Sequence, residues 1–182
     1  MKLIVGLGNP EPRYETTRHN AGFLMADLLV EKAGAKWEGH SARFHGWVGK
    51  GSLLGEACVF LKPMTYMNLS GRSVGAVMRF YKLEAKDVIV LFDDVDVPSG
   101  NVKARAGGGH GGHNGVRSII DETGETEFHR IKLGVGRPPG QRETADWVLG
   151  RMTDQELLAL QNEMMKEVEI RLKGIFDQAR KR

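Results

Sequence analysis

Apolar residues fall in short runs separated by glycine- and proline-marked breaks. Residues 2–7 (KLIVGL) read as a short buried strand ending at Gly8-Asn9-Pro10. Residues 21–33 predict a helix, with Phe23, Leu24, Leu28 and Leu29 on a common side and Gly34 as the stop. Residues 42–49 and 56–61 resemble two strands around a turn at Lys50-Gly51-Ser52, and Lys62-Pro63 closes the second. Val74, Val77, Met78 and Tyr81 recur at helical spacing within 69–82. Residues 87–92 (DVIVLF) are β-branched and apolar on every side, the mark of a central strand covered on both faces. A turn at 97–100 precedes an edge strand at 101–106, and 114–121 fit a short helix. In 129–135, His129, Ile131, Leu133 and Val135 alternate with Arg130 and Lys132, which predicts a strand with one exposed face. Helices follow at 142–149 and 153–178, the last striped by Leu157, Leu160, Met164, Val168 and Leu172. Strands alternating with helices predict a layered α/β fold with a mixed sheet.

Composition narrows this only slightly. A chain of 182 residues, 41% apolar, suits one domain with a substantial core. The net charge of +3 permits a polyanionic partner without requiring one. Part of the excess is terminal, at Arg171, Lys173, Arg180, Lys181 and Arg182, where a solvated helix tail and nucleic-acid contact stay open. The single cysteine, Cys58, lies in the apolar run ACVFL and is expected to be a buried side chain rather than a nucleophile. The first apolar run is too short for a signal peptide or a membrane span, so a cytoplasmic protein without membrane association is the default expectation.

Chemistry concentrates at the strand ends. Gly6-Leu7-Gly8-Asn9-Pro10 suggests a dinucleotide fingerprint, but Glu11 occupies the third glycine position and Pro10 removes a backbone donor. Asn9, with a donor and an acceptor at the end of a buried strand, becomes the candidate there. In TRHNAG (17–22), Asn20 reads as the cap of the first helix, with His19 at the helix entrance. Asp93, Asp94 and Asp96 follow the central strand. Asp93 suits orientation of a histidine, a capped turn suits Asp94 and Asp96, and a magnesium site is the competing reading. PMTYMNLSG (63–71) leads into the second helix with Asn68 or Ser70 as cap, while Tyr66 and Met67 offer pocket walls. Ser70 lacks a nucleophile elbow.

The segment GGGHGGHNG (107–115) is the densest feature. It is no Walker loop, and His110 and His113 alone do not make a zinc site. It reads as a glycine-hinged rim leading into a helix, with Asn114 or the backbone N–H groups near Gly112 and His113 available to a carbonyl or anion. Lys103, Arg105, Arg117, Arg130 and Lys132 flank it, and pairing of the adjacent strands would gather several into a basic patch fit for phosphate.

Together, GLGNP at 6–10, Tyr14 before TRHNAG, MNLSG at 67–71, DDVDVPSG at 93–100 and GGGHGGHNG at 107–115 resemble the bacterial peptidyl-tRNA hydrolase family over almost the whole chain. The resemblance implies a single three-layer α/β domain over 1–182, with a mixed twisted sheet between helices and a basic C-terminal helix at about 153–180. It also implies a monomer that hydrolyses the peptide–tRNA ester without metal or cofactor. By it, His19 is the base and Asp93 its orienting carboxylate, while Asn9 positions substrate. Tyr14, Tyr66, Asn68 and Asn114 meet the substrate end, where Met67 as a pocket wall and the backbone at Gly112 and His113 are also expected, and Arg105 and Lys132 meet tRNA phosphate. Peptidyl-tRNA is the implied partner, with no obligate protein partner. Glu11 and Tyr66 depart from the family's usual glycine and phenylalanine, and Lys132 stands where some members have arginine. A non-catalytic RNA-binding protein on the same scaffold and a metal-dependent hydrolase are the competing readings.

Overall fold

The computed structural model describes residues 1–181; Arg182, part of the basic terminus, lies outside them. The strands are β1 (Lys2–Gly6), β2 (Trp37–Ser41), β3 (Gly46–Leu53), β4 (Glu56–Pro63), β5 (Val88–Asp94), β6 (Val102–Ala106) and β7 (His129–Gly134). They form one seven-stranded sheet in the order β2-β3-β4-β1-β5-β7-β6. β1 runs parallel to β4 and β5, and β5 parallel to β7, while the β2–β3, β3–β4 and β6–β7 pairs are antiparallel. The sheet is therefore mixed, as the sequence predicts.

The helices are α1 (Ala21–Lys32), α2 (Ser70–Tyr81), α3 (Asn114–Thr123), α4 (Thr144–Val148), α5 (Asp154–Ala159) and α6 (Met165–Arg180). Alternate residues of β1 and β5 enter opposite cores. Ile4, Ile89 and Leu91 pack with Met25 and Leu29 of α1 and with Val168, Leu172 and Phe176 of α6. Leu3, Val5, Val88, Val90 and Phe92 pack with Val74 and Val77 of α2 and with Val116 and Ile119 of α3. Burial on both faces explains why these strands read as unbroken apolar runs.

Several local expectations change. The hairpin turn is at Leu54-Gly55 rather than Lys50-Gly51-Ser52, because β3 pairs with β4 through Leu53↔Glu56. Leu54 and Gly55 carry the positive φ values, 52° and 79°. The strand β2, with one side chain in two exposed, has no apolar alternation to announce it. Arg130 is 2% exposed rather than on an open face. The terminal helix passes through a π turn at Leu160–Met164 between α5 and α6. Three of its cations are engaged: Arg171 pairs with Glu167, Lys173 with Asp177, and Arg180 with Asp177 and Glu56. Cys58 is buried, and burial pushes its thiol up to about 12, which removes it as a nucleophile. No helix among the described residues is long and apolar enough to cross a membrane.

The glycines at 6 and 22 set where the site forms. A Cβ on Gly6 would stand 2.2 Å from the Gly22 carbonyl oxygen, and one on Gly22 would stand 2.4 Å from the Leu91 oxygen. Their absence lets the first turn of α1 lie against the ends of β1 and β5. There Phe23 N donates to Leu7 O at 3.1 Å and Leu7 N to Leu91 O at 3.0 Å. The residues just before α1 are thereby brought to the carboxyl ends of the two central strands, where open α/β sheets hold ligands.

Candidate active site

An open groove of about 1100 Å³ runs across those strand ends. Every site residue named from the sequence lines it: Asn9, Tyr14, His19, Tyr66, Met67, Asn68, Asp93, Arg105, Gly112, His113, Asn114 and Lys132. Segments more than a hundred residues apart converge because β1 and β5 are neighbours and α3 starts beside them.

His19 occupies a single 3₁₀ turn, Arg18–Asn20. Its Nδ1 lies 2.9 Å from Asp93 Oδ2 and 3.0 Å from Oδ1. Asp93, at the end of β5, is only 4% exposed. A buried carboxylate accepts, so Nδ1 carries the proton and Nε2 is left with its lone pair. Burial is the largest influence on His19 and works to lower its pKa. The charge of Asp93 and its hydrogen bond together outweigh burial, and the imidazole titrates above its ordinary value of 6.5. Burial likewise works to raise Asp93, but the two imidazoles and their hydrogen bonds hold it well below the usual carboxylate range.

The second imidazole is His113, whose pairing with Asp93 no sequence motif announces. Its Nδ1 accepts from the backbone N–H groups of Gly115 (3.1 Å) and Val116 (3.3 Å), so His113 caps α3. With the lone pair at Nδ1, the proton sits on Nε2, which donates to Asp93 Oδ1 at 2.9 Å. In the sequence, only its place immediately before a helix, where Ser, Thr, Asp or Asn usually caps, could have singled this histidine out as a cap. The ring is braced edge-on by Phe92, with centroids 5.0 Å apart.

Among the described residues, His19, Asp93 and His113 are also the set that most resembles a metal site, with ligand atoms within 4.8 Å of one another. The helix amides at His113 Nδ1 argue against that use. A metal at Nε2 would need the proton moved to Nδ1, against two N–H donors.

Asn9 is held on three sides. Its N–H donates to Asn20 Oδ1 at 2.9 Å, and its carbonyl accepts from Asn20 Nδ2 at 3.0 Å. Its Oδ1 accepts from Met67 N at 3.2 Å. This fixes the amide with its NH₂ as the remaining donor. Asn20 is thus a brace for Asn9 and makes no side-chain cap on α1, contrary to expectation. Nor does Asn68 or Ser70 cap α2: Ser70 Oγ donates back to Met67 O at 2.8 Å. Asn68, Asn114 and Tyr66 stand exposed on the groove rim.

In the glycine segment, Gly107, Gly108, Gly111 and Gly112 take φ values of 72°, 115°, 58° and 83°, which L side chains rarely adopt. A Cβ at Gly111 or Gly112 would meet open space, so backbone conformation there, rather than close approach, calls for glycine. His110 folds the turn, accepting from Gly112 N at 2.9 Å. Arg130 holds the segment from beneath by donating to the Gly108 and Gly109 carbonyls and, at 3.0 Å, to Thr126 O. The β6–β7 register sets Lys103 opposite Lys132 and Arg105 opposite Arg130. Like charges directly opposite are destabilising in a sheet. Lys132 is relieved by Asp94 at 3.8 Å, whereas Lys103 and Arg105 are exposed. Asp94 also accepts from Asp96 N at 2.7 Å, the expected local turn, and Asp96 pairs with Arg137.

The family model described as peptidyl-tRNA hydrolase matches residues 3–182. The chain belongs to the peptidyl-tRNA hydrolase family. It is 50% identical over 159 residues to the peptidyl-tRNA hydrolase of Geobacter sulfurreducens, covering 87% of this chain and 81% of that protein. It is 45% identical over 166 residues to that of Oceanobacillus iheyensis, covering 91% of this chain and 88% of the relative. The crystal structure of peptidyl-tRNA hydrolase from Acinetobacter baumannii superposes with a TM-score of 0.86 at 36% identity, over 98% of this chain and 92% of that one. Within this peptidyl-tRNA hydrolase family fold, the groove gathers a histidine with a free ring nitrogen, a buried carboxylate, three asparagines and a cationic edge.

Proposed function

We propose that the groove carries out the family's reaction, hydrolysis of the ester joining a peptide to the 3′ end of tRNA, with His19 as general base. The observation that carries this reading is the His19 Nδ1–Asp93 contact of 2.9 Å, which leaves Nε2 unprotonated on the groove side. Water attacks the ester carbonyl carbon and His19 Nε2 takes its proton. Asp93 fixes the tautomer and stabilises the imidazolium. The tetrahedral intermediate then expels the ribose oxygen, which recovers the proton from Nε2. Such assistance contributes roughly 10²–10⁴-fold. The Asn9 NH₂, held by Met67 N and Asn20, is the best oriented donor for the developing oxyanion, a role worth about 3 kcal/mol. Asn68 and Asn114 contact the substrate from the rim, with Tyr14, Tyr66, Met67, Gly112 and His113 walling the same end.

A groove that works in this way needs no metal. N-acylated aminoacyl-tRNA should be cleaved in EDTA-treated buffer, with kcat/KM falling on the acid side. The base is active when neutral, and Asp93 raises its pKa, so the loss should set in above pH 6.5 rather than at or below it. A metal requirement, or a flat profile between pH 5 and 8, would count against this chemistry.

Arg105 and Lys132 are proposed to hold tRNA phosphate. Removing one phosphate contact lowers the slope of log K against log salt by about 0.7–0.9. Arg105→Ala should show that loss, and Lys132→Ala a smaller one, because Asp94 already engages Lys132. Unchanged slopes in binding titrations of both variants would remove these residues from the interface. One sheet spanning β1 to β7 supports treating 1–182 as one domain. Because peptidyl-tRNA arises in translation, the proposed setting is cytoplasmic, with the tRNA as the only partner required.

A further inference from the structure

The turn that bears His19 is held from its far side by a buried arginine. Arg18 is 5% exposed. All three of its guanidinium nitrogens are used: Nε and Nη2 reach Glu156 Oε2 and Oε1 at 2.9 and 2.8 Å, and Nη1 reaches Trp147 O at 3.1 Å. The guanidinium carbon stacks 3.4 Å over the Trp147 ring. Glu156 is fixed in turn by a capping box with Thr153, and Trp147 Nε1 donates to Gly136 O at 3.0 Å, beyond the end of β7. Backbone contacts reinforce the clamp: Arg18 N donates to Gly150 O at 3.1 Å, Met152 N donates to Thr16 O at 2.9 Å, and Thr17 bridges Arg151.

We infer that Arg18 is a positioning residue for the hydrolytic step, setting His19 against Asp93 and tying the base to α4. Neighbouring side chains on a 3₁₀ turn point about 120° apart, so Arg18 enters the α4–α5 layer while His19 enters the groove. The turn has no side-chain cap at Thr17. Its orientation is therefore fixed by Asp93 and the Asn9–Asn20 pair on one side and by Arg18 on the other. The same Trp147 sits in α4, whose Thr144, Ala145 and Val148 form part of the groove wall. Wall and base thus share one anchor. A bidentate fork on a planar ring is a geometry that lysine does not reproduce.

The inference rests on His19 being the base. It is tested with Arg18→Lys and the milder Glu156→Gln, each measured below its own melting temperature. Turnover of N-acetylated aminoacyl-tRNA should fall on the order of 10²-fold, as for an ångström-scale misplacement of a reacting group. KM should stay within about twofold, since the tRNA contacts lie elsewhere. The acid limb of kcat should also move to lower pH, because a tilted His19 loses part of the Asp93 attraction that raises it. Should Arg18→Lys not fold, Glu156→Gln decides. Parental kcat and acid limb in folded variants would overturn the positioning role. So would a loss of kcat with an unmoved acid limb, the mark of simple destabilisation. Full activity in a His19→Ala protein would instead remove the base assignment, a separate failure.

Discussion

The His19→Ala protein is expected to bind peptidyl-tRNA and to cleave it about 10²–10⁴-fold more slowly than the parent. His19 offers its proton acceptor to the groove through a single atom. Nε2 is the ring nitrogen not committed to Asp93, and Nδ1 is turned inward at 2.9 Å. No other imidazole can take over. His113 has its lone pair on the α3 amides and its proton on Asp93, so it presents no basic nitrogen to substrate. His110 is bound to Gly112 N within its own turn. Arg105 and Lys132, the cations proposed to hold tRNA, lie on β6 and β7, clear of the substitution, so binding and its salt dependence should survive. Single-turnover hydrolysis of N-acylated aminoacyl-tRNA checks this, with equilibrium binding measured on the same preparation. Turnover near the parental rate would end the assignment of His19.

Asp93→Asn should cost as much or more, roughly 10³–10⁴-fold in kcat, by the logic of a histidine left in the wrong tautomer. The reason lies in His113. Its Nε2–H is fixed by the helix amides and needs an acceptor at the Oδ1 position, 2.9 Å away. The asparagine oxygen is drawn there. Its NH₂ then takes the Oδ2 position, 2.9 Å from His19 Nδ1, and donates to it. His19 is left with its proton on Nε2, facing the ester, and is no longer a base. The anion that raised the His19 pKa is gone while burial, which lowers it, remains, so any residual activity should titrate below pH 6.5. Replacing His113 as well, as in Asp93→Asn with His113→Ala, releases the asparagine to present its oxygen to His19. That double variant should recover part of the lost rate. A double variant no faster than Asp93→Asn alone would show that His113 does not dictate the amide's orientation.

Much of the site was legible because its residues are punctuation. Asn9 ends a buried strand, Asp93 ends another, His19 precedes a helix, and each stands where an apolar pattern stops. Polar groups at such positions have no core to fill, which leaves chemistry or capping as their purpose. Capping was the harder half to read. Asn20 looked like a helix cap and instead braces Asn9 across eleven positions. The strand β2 leaves no pattern in the sequence because, at the edge of the sheet, it buries none of its side chains fully. The alternation of Arg130 with Ile131 and Leu133 predicts an exposed side chain, yet the glycine segment folds over it and accepts two of its hydrogen bonds, at Gly108 and Gly109. Arg18 carried no local signal at all, since Glu156 is 138 positions away.

The sequence by itself determined the layered α/β class, the central strands, the family, and the candidate pair of His19 and Asp93. These follow from short-range periodicity and from motifs whose residues sit at strand ends. Only the tertiary structure decided which histidine keeps a free nitrogen. Tautomers are set by hydrogen bonds from distant backbone: the α3 amides commit His113, and buried Asp93 commits Nδ1 of His19. It also decided that the groove wall and the turn bearing His19 share the Arg18 clamp. Side-chain contacts across a hundred residues exist only once the sheet has ordered its strands β4-β1-β5-β7 and brought those ends together.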